Sequence, residues 1–267
     1  MRARWVAAAC ALSMIGVGCA DEALSRESDD TRPRAPVSSS SSTRATASAT
    51  TSTLPPSTTT TLPPPPPPEV LRRGAEGPAV QLVQHRLEEL GFRPGAVDGR
   101  YGDATFSAVM AFQKHERLDP DGHAGPITQT ALGQGLLAAG PRGGAAPRVE
   151  VDIDRQIAYV VAADGATKII NVSSGNGERY ARPQGGTGVA TTPRGDFDVE
   201  RRIDGVRVAP LGKMYRPMYF KGGFALHGSS NVPGYPASHG CVRTTNTDQD
   251  FLWDAVPNGA PVHIYGS

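Results

Sequence analysis

Between Thr31 and Pro68 the chain is almost wholly Ser, Thr, Ala, Arg and Pro, closing on six consecutive prolines. Such a tract has no apolar periodicity and cannot bury a core. Its prolines favour extended polyproline II, so that 38 residues at ~3.1 Å each reach on the order of 120 Å. The tract therefore divides the 267 residues into a short leading piece and a folding portion that starts at Glu69. A net charge of +1 with 20% charged residues argues against nucleic acid or an anionic membrane surface as the main partner.

The leading piece reads MRARWVAAACALSMIGVGCA. Two arginines, a short apolar run and a Gly18-Cys19 ending have the layout of a secretory signal over residues 1–20. The run is too short to span a membrane as a helix. The ending resembles a bacterial lipoprotein signal, which would make Cys19 the lipidated N-terminus. Gly16 departs from that pattern, and plain cleavage after Ala20 is the alternative. On either reading residues 21–68 form a disordered linker, and Cys241 is the remaining free thiol of an exported protein.

Residues 69–138 change character. Pro78 can open a helix in which Val80, Val83, Leu87 and Leu90 recur at helical spacing, with Gly91 as its stop. A short repeat follows at an offset of 23: Asp98-Gly99 to Thr105 and Asp121-Gly122 to Thr128 both read D-G-x-x-G-x-x-T. Each is a tight turn leading into a helix, the first predicted from Asp103 to His115. His85, His115 and His123 are expected at the surface. With Gly74, Gly77, Leu90-Gly91, the two Asp-Gly turns, Phe112-Gln113 and Leu118, the stretch resembles the small three-helix peptidoglycan-binding domain that accompanies many wall enzymes.

A Gly/Pro-rich hinge, Gly140 to Pro147, precedes strand-like sequence. Val149, Val151 and Ile153 alternate with polar residues, and Ile157, Tyr159 and Val161 do so again. Asp164-Gly165 is a hairpin turn into a third strand. Residues 174–195 are rich in glycine without periodicity and are expected to form a mobile flap. Thr247 can cap a helix with Asp250 three positions on, and Pro261 to Tyr265 is a final strand. The fold class is α+β: three helices, then a mainly antiparallel β unit over residues 148–267 with one helix near its end.

Two of the six histidines and one of the three cysteines lie between Ala225 and Thr245. A thiol is only slightly ionised at neutral pH unless a neighbour activates it, and a histidine within reach can accept its proton. His227 and Cys241 are fourteen positions apart on a Gly/Pro-rich loop. Gly240 lets the backbone approach a substrate, and the Gly240 and Cys241 N–H groups can face an oxyanion. Arg243 suits a carboxylate.

The run Ser238-His239-Gly240-Cys241-Val242-Arg243 behind His227-Gly228, with Ser174-Gly175 and Thr192-Pro193-x-Gly195-x-Phe197, resembles the L,D-transpeptidase (YkuD-type) catalytic domain over roughly residues 148–265. The resemblance implies an L,D-transpeptidase-like β-sandwich, with Cys241 as nucleophile and His227 as general base and acid. It places Ser238, His239 and Gly240 on the oxyanion side and Arg243 on the substrate; Tyr219 is a further candidate for lining the pocket. It implies 3→3 cross-links made through a cysteine thioester, with loss of a terminal D-alanine, and acylation by carbapenems. Peptidoglycan stem peptides and glycan strands are then the partners. No cofactor and no metal are implied; the chain is expected to be a monomer in the cell envelope, touching membrane only through a lipid anchor. Only ten residues separate His227 from Ser238, fewer than the family usually has. Competing readings are a carboxypeptidase using water, a zinc-dependent wall hydrolase ligated by His227, His239 and Cys241, and a catalytically silent wall-binding lipoprotein. Arg243 paired with Asp248 or Asp250 is the structural alternative for that side chain.

Overall fold

A computed structural model describes residues 69–267; the expectations for a signal, for Cys19 and for the linker lie outside the described residues. Three helices come first: α1 (Pro78–Glu89), α2 (Asp103–His115) and α3 (Pro126–Gln134). Prolines at the first turns of α1 and α3 cost no hydrogen bond there, since those N–H groups lack partners within the helix. The D-G-x-x-G-x-x-T repeat has a physical counterpart that the pattern did not reveal. Buried Gln84 accepts from Gly99 N–H at 2.8 Å and donates to Asp98, Arg100 O and Thr105. Buried Gln113 accepts from Gly122 N–H at 2.8 Å and donates to Asp121, His123 O and Thr128. One buried amide per turn thus satisfies backbone groups that would otherwise be stranded.

The β region runs β1 (Arg148–Asp152), β2 (Ile157–Val161), β3 (Thr167–Asn171), β4 (Arg179–Ala181), β5 (Thr187–Val189) and β6 (Gly195–Asp198). It continues with β7 (Arg201–Arg202), β8 (Val206–Ala209), β9 (Gly212–Lys221), β10 (Phe224–Gly228) and β11 (Val242–Thr244), then helix α4 (Asn246–Ala255) and β12 (Pro261–Tyr265). One sheet has the order β3-β2-β1-β12-β6 and the other β11-β10-β9-β7, with β8 also on β9. Pairing is antiparallel except for β1 with β12 and β10 with β11. Inner faces of both sheets meet in one core that includes Val149, Val151, Val160, Met218, Phe220, Leu226 and Val242, closed by Leu252 and Val256 from the α4 end. Thr245, rather than Thr247, caps α4, its hydroxyl accepting from Asp248 N–H at 3.1 Å. Residues 174–195, expected to be a structureless flap, contain the β4–β5 hairpin.

The alternation in β1 and β2 predicts one wet face, yet every residue of both strands is buried. The helical segment covers the second face. Ile157, Tyr159 and Ile169 share a core with Leu87, Phe92, Val109 and Phe112. The chain after α1 also pairs with edge strand β3, Ile169 N–H donating to Gly91 O at 2.9 Å, so that edge is not left open. His115, expected at the surface, is fully buried between the Phe92 and Tyr159 rings. Burial lowers its pKa. The Gly140–Pro147 hinge is strapped down: Arg142 N–H donates to Glu150 at 2.6 Å, Tyr159 hydroxyl to Ala139 O at 3.1 Å, and Arg142 stacks on Tyr265. Glu150 is itself buried and paired with Arg148 at 2.7 Å.

Lys114 ties the two regions together. Its ammonium, carried by α2, is buried and donates to Asn171 Oδ1 (2.5 Å), Val172 O (2.9 Å), Gln156 O (3.2 Å) and Pro233 O (3.4 Å). All four acceptors belong to the β region. Burial pushes its pKa from 10.5 down to about 7. An unfolded chain therefore binds more protons than the folded one between those values. The stability contribution of this group is full above pH 10.5 and is lost as pH falls towards 7. Urea denaturation of the parent and of Lys114→Met at pH 6 and pH 9 checks this. The parent is expected to exceed the variant by about 1–3 kcal/mol at pH 9, with a smaller margin at pH 6; a margin that does not change with pH contradicts it.

Candidate active site

The period of two along a strand sorts the residues of β10 and β11. Leu226 and Val242 are register partners and point into the core. His227 and Arg243 are also partners, and so share the opposite face. Cys241 directly precedes β11 and by the same alternation lies on the His227 side. The connection between these parallel strands is short for such a crossover, and its backbone is held from outside. Ala237 and Ser238 N–H donate to Ser174 O at 3.0 and 2.9 Å, Ser173 hydroxyl to Tyr235 O at 2.9 Å, and Asn171 to Val232 O at 3.2 Å. Gly234 lies so close to the helical segment that a Cβ there would meet Pro120 O at 2.8 Å.

Cys241 and His227 open on one cleft of about 480 Å³, with Arg243, His239 and Tyr180 among its other walls. His227 is buried and its Nδ1 stands 2.9 Å from Gly228 O. A carbonyl only accepts, so Nδ1 carries the proton and the free lone pair of the neutral ring is on Nε2. Burial lowers the His227 pKa; the Gly228 contact opposes this and the Arg243 charge adds to it. Burial likewise raises the Cys241 pKa, against smaller lowering effects of the Ala225 backbone amide and Arg243. Both shifts favour a neutral thiol and a neutral imidazole on one cleft over a preformed ion pair, and the Cys241 thiol rests against Gly223 O at 3.9 Å. Such an arrangement can pass the thiol proton to Nε2 as sulfur attacks.

Arg243 has no ion-pair partner among the described residues. Its two alternatives are engaged elsewhere, Asp248 with Arg93 at 3.1 Å and Asp250 with Arg216 at 2.9 Å. Ser238 is buried and braces the turn, its hydroxyl donating to Cys241 O and accepting from Gly240 N–H at 3.0 Å. The Gly240 N–H is thus occupied within the loop, whereas Cys241 N–H meets no acceptor among the described residues. Gly240 is also required by a close approach within the protein. Its φ is +121°, and a Cβ would lie 2.7 Å from the Phe224 ring and 3.0 Å from Thr191 O.

His239 is exposed and sits edge-on to Tyr180, with ring centroids 4.9 Å apart. His227, His239 and Cys241 therefore do not converge as ligands, and no group of three such side chains does so among the described residues. Tyr219 is placed behind the cleft: 3% exposed, it packs with Met214, Ala225 and Cys241 under the Arg201 guanidinium. The aromatic that reaches the cleft is Tyr180, from the β4–β5 hairpin. Its signal was available, as the sole aromatic in residues 174–195. Lys213 and Leu211, from the β8–β9 hairpin, also line the cleft; nothing in their sequence context marks them.

A family model for the L,D-transpeptidase catalytic domain matches residues 146–264, and one for a putative peptidoglycan binding domain matches residues 76–132. Among curated proteins, an N-acetylmuramoyl-L-alanine amidase of Mycobacterium tuberculosis is 43% identical over 56 residues, 21% of this chain and 14% of the amidase. A spore cortex-lytic enzyme of Bacillus cereus is 42% identical over 64 residues, 24% of this chain and 25% of the enzyme. The chain thus spans a quarter or less of the length of these relatives. Among solved structures, the L,D-transpeptidase (residues 123–326) of Xylanimonas cellulosilytica is 49% identical with a TM-score of 0.70, over 75% of this chain and 100% of that one. Matched along the whole of that structure at this identity, the chain belongs to the L,D-transpeptidase family.

Proposed function

We propose that this protein is a cell-wall L,D-transpeptidase that joins two peptidoglycan stem peptides in a 3→3 cross-link through a thioester on Cys241. The observation that carries this reading is the shared strand face: thiol, imidazole and unpaired guanidinium open on one cleft, in a chain of the L,D-transpeptidase family.

In acylation, Cys241 Sγ attacks the carbonyl carbon of the third stem residue while its proton passes to His227 Nε2. The oxyanion forms against the Cys241 N–H, a preorganised donor of the kind that contributes strongly to acyl transfer. Collapse breaks the amide bond to the terminal D-alanine, whose nitrogen takes the proton back from His227. Arg243 holds a carboxylate of the donor. In the second half, the side-chain amine of a diamino acid on another stem attacks the thioester. An amide bond forms, the C–S bond breaks, and the amine proton reaches sulfur through His227. Water in place of the amine gives the carboxypeptidase product.

In this reading residues 69–138 hold peptidoglycan, Cys19 carries the lipid of an envelope lipoprotein, and residues 21–68 let the folded part reach into the wall.

Intact-mass measurement after incubation with a carbapenem is expected to show one adduct on the parent and none on Cys241→Ala. His227→Ala is expected to slow acylation by about 10²–10⁴-fold; parent-like acylation of that variant removes His227 from the mechanism. Because burial lowers the His227 pKa, the acylation rate is expected to climb with pH to a midpoint below 6.5 and to stay level through neutrality. A midpoint at or above 6.5 in stopped-flow measurements contradicts the general-base role. Arg243→Ala is expected to raise KM for a tetrapeptide donor by about ten- to a hundredfold with a smaller change in kcat.

A further inference from the structure

A second groove, of about 270 Å³, lies where α2 meets the start of α4, and Ser229 lines both this groove and the cleft that holds Cys241. Two features of it point to an anion. Helix α4 begins here, and the Asn246 and Thr247 N–H groups have no acceptor among the described residues. Unclaimed donors at a helix start, aligned with the helix dipole, attract negative charge. Ser107, on the opposite wall, is 6% exposed and its hydroxyl has no hydrogen-bond partner. A buried polar atom left without a partner costs about 1–3 kcal/mol, which a bound acceptor would recover. The Arg73 guanidinium at the rim is paired at 2.8 Å with Asp103, which also lines the groove, and this exposed pair carries no net charge. The nearby acid Asp248 is turned away and bound to Arg93.

We infer that this groove seats a carboxylate of the acceptor stem peptide, the strand whose amine resolves the Cys241 thioester. The inference rests on the proposed transpeptidase reading. It gives the helical segment a second task beside holding wall: α2 supplies one bank of the acceptor site, and Ser229 marks where the peptide turns into the catalytic cleft.

The test uses the full chain carrying Cys241→Ala and titrates it with a synthetic tripeptide stem that ends in its diamino acid. Lacking D-alanine, this probe is no donor. Its free-carboxylate and carboxamide forms are compared by calorimetry, with and without Thr247→Glu. An acid in the first turn favours the helix, so this variant is expected to keep its thermal midpoint, yet it repels a carboxylate at the helix start. Binding of the free-carboxylate probe is expected to weaken about tenfold, while the weaker carboxamide probe is unaffected. Thr247→Gln, of similar size without charge, is expected to bind as the parent does. Equal affinity in parent and Thr247→Glu, equal loss in Thr247→Gln, or no binding to the parent overturns the assignment. Since binding needs no thiol chemistry, a failure of Cys241 acylation is seen separately in the parent enzyme.

Discussion

A lysine amino group buried among four oxygens of another part of the chain is the contact on which the rest of this structure depends. Apolar burial supplies most of the energy of docking: each fully buried Phe92, Phe112 or Ile157 contributes roughly 1.5–3 kcal/mol. Apolar contacts tolerate sliding, however, and a buried hydrogen-bond donor does not, because an amino group stripped of its acceptors costs more than a displaced methyl group. Lys114 therefore sets the register of α2 on the β2–β3 face. One of its acceptors, Pro233 O, lies in the connection between β10 and β11. Docking of the helices and placement of the loop before Cys241 are in this way one event.

That coupling gives the short connection a physical explanation. A parallel pair joined by so few residues has little room for secondary structure of its own, and its polar backbone needs outside partners. Ser173, Ser174 and Asn171 supply them from the β3 side and Lys114 from the helical side, where Gly234 also packs closely on Pro120. The result is a rigid approach to the thiol. In the proposed reaction that rigidity suits an imidazole and a thiol that both rest neutral, since proton transfer during attack then depends on fixed geometry rather than on a standing ion pair.

Much of this was legible along the chain. Helix α2 runs over the predicted residues, because apolar spacing and the Asp-Gly turn agreed there, and β12 does likewise. The elements that disagreed with expectation did so where a second layer intervened. The β1–β2 alternation promised a wet face that the helices cover, His115 was read as surface for the same reason, and the glycine-rich flap hid a hairpin of two three-residue strands, too short to show a period. The α4 cap moved two residues earlier because Thr245 and Thr247 carry the same side chain, and only backbone position chooses between them.

By itself the sequence determined which residues are the candidates for the proposed chemistry. The Cys241 thiol, a histidine fourteen residues before it and an arginine two residues after it lie in local patterns that need no distant contact to be read. Only the tertiary structure decided how they are presented. The strand pairing that puts His227 beside Arg243, the burial that shifts both reactive groups towards neutrality, the retreat of Tyr219 behind the cleft and the arrival of Tyr180 in front of it all depend on residues far apart in the chain. Period and spacing describe one strand or helix at a time; which face a neighbour covers is settled by packing between elements, where apolar area and the cost of unpaired polar groups are decided together.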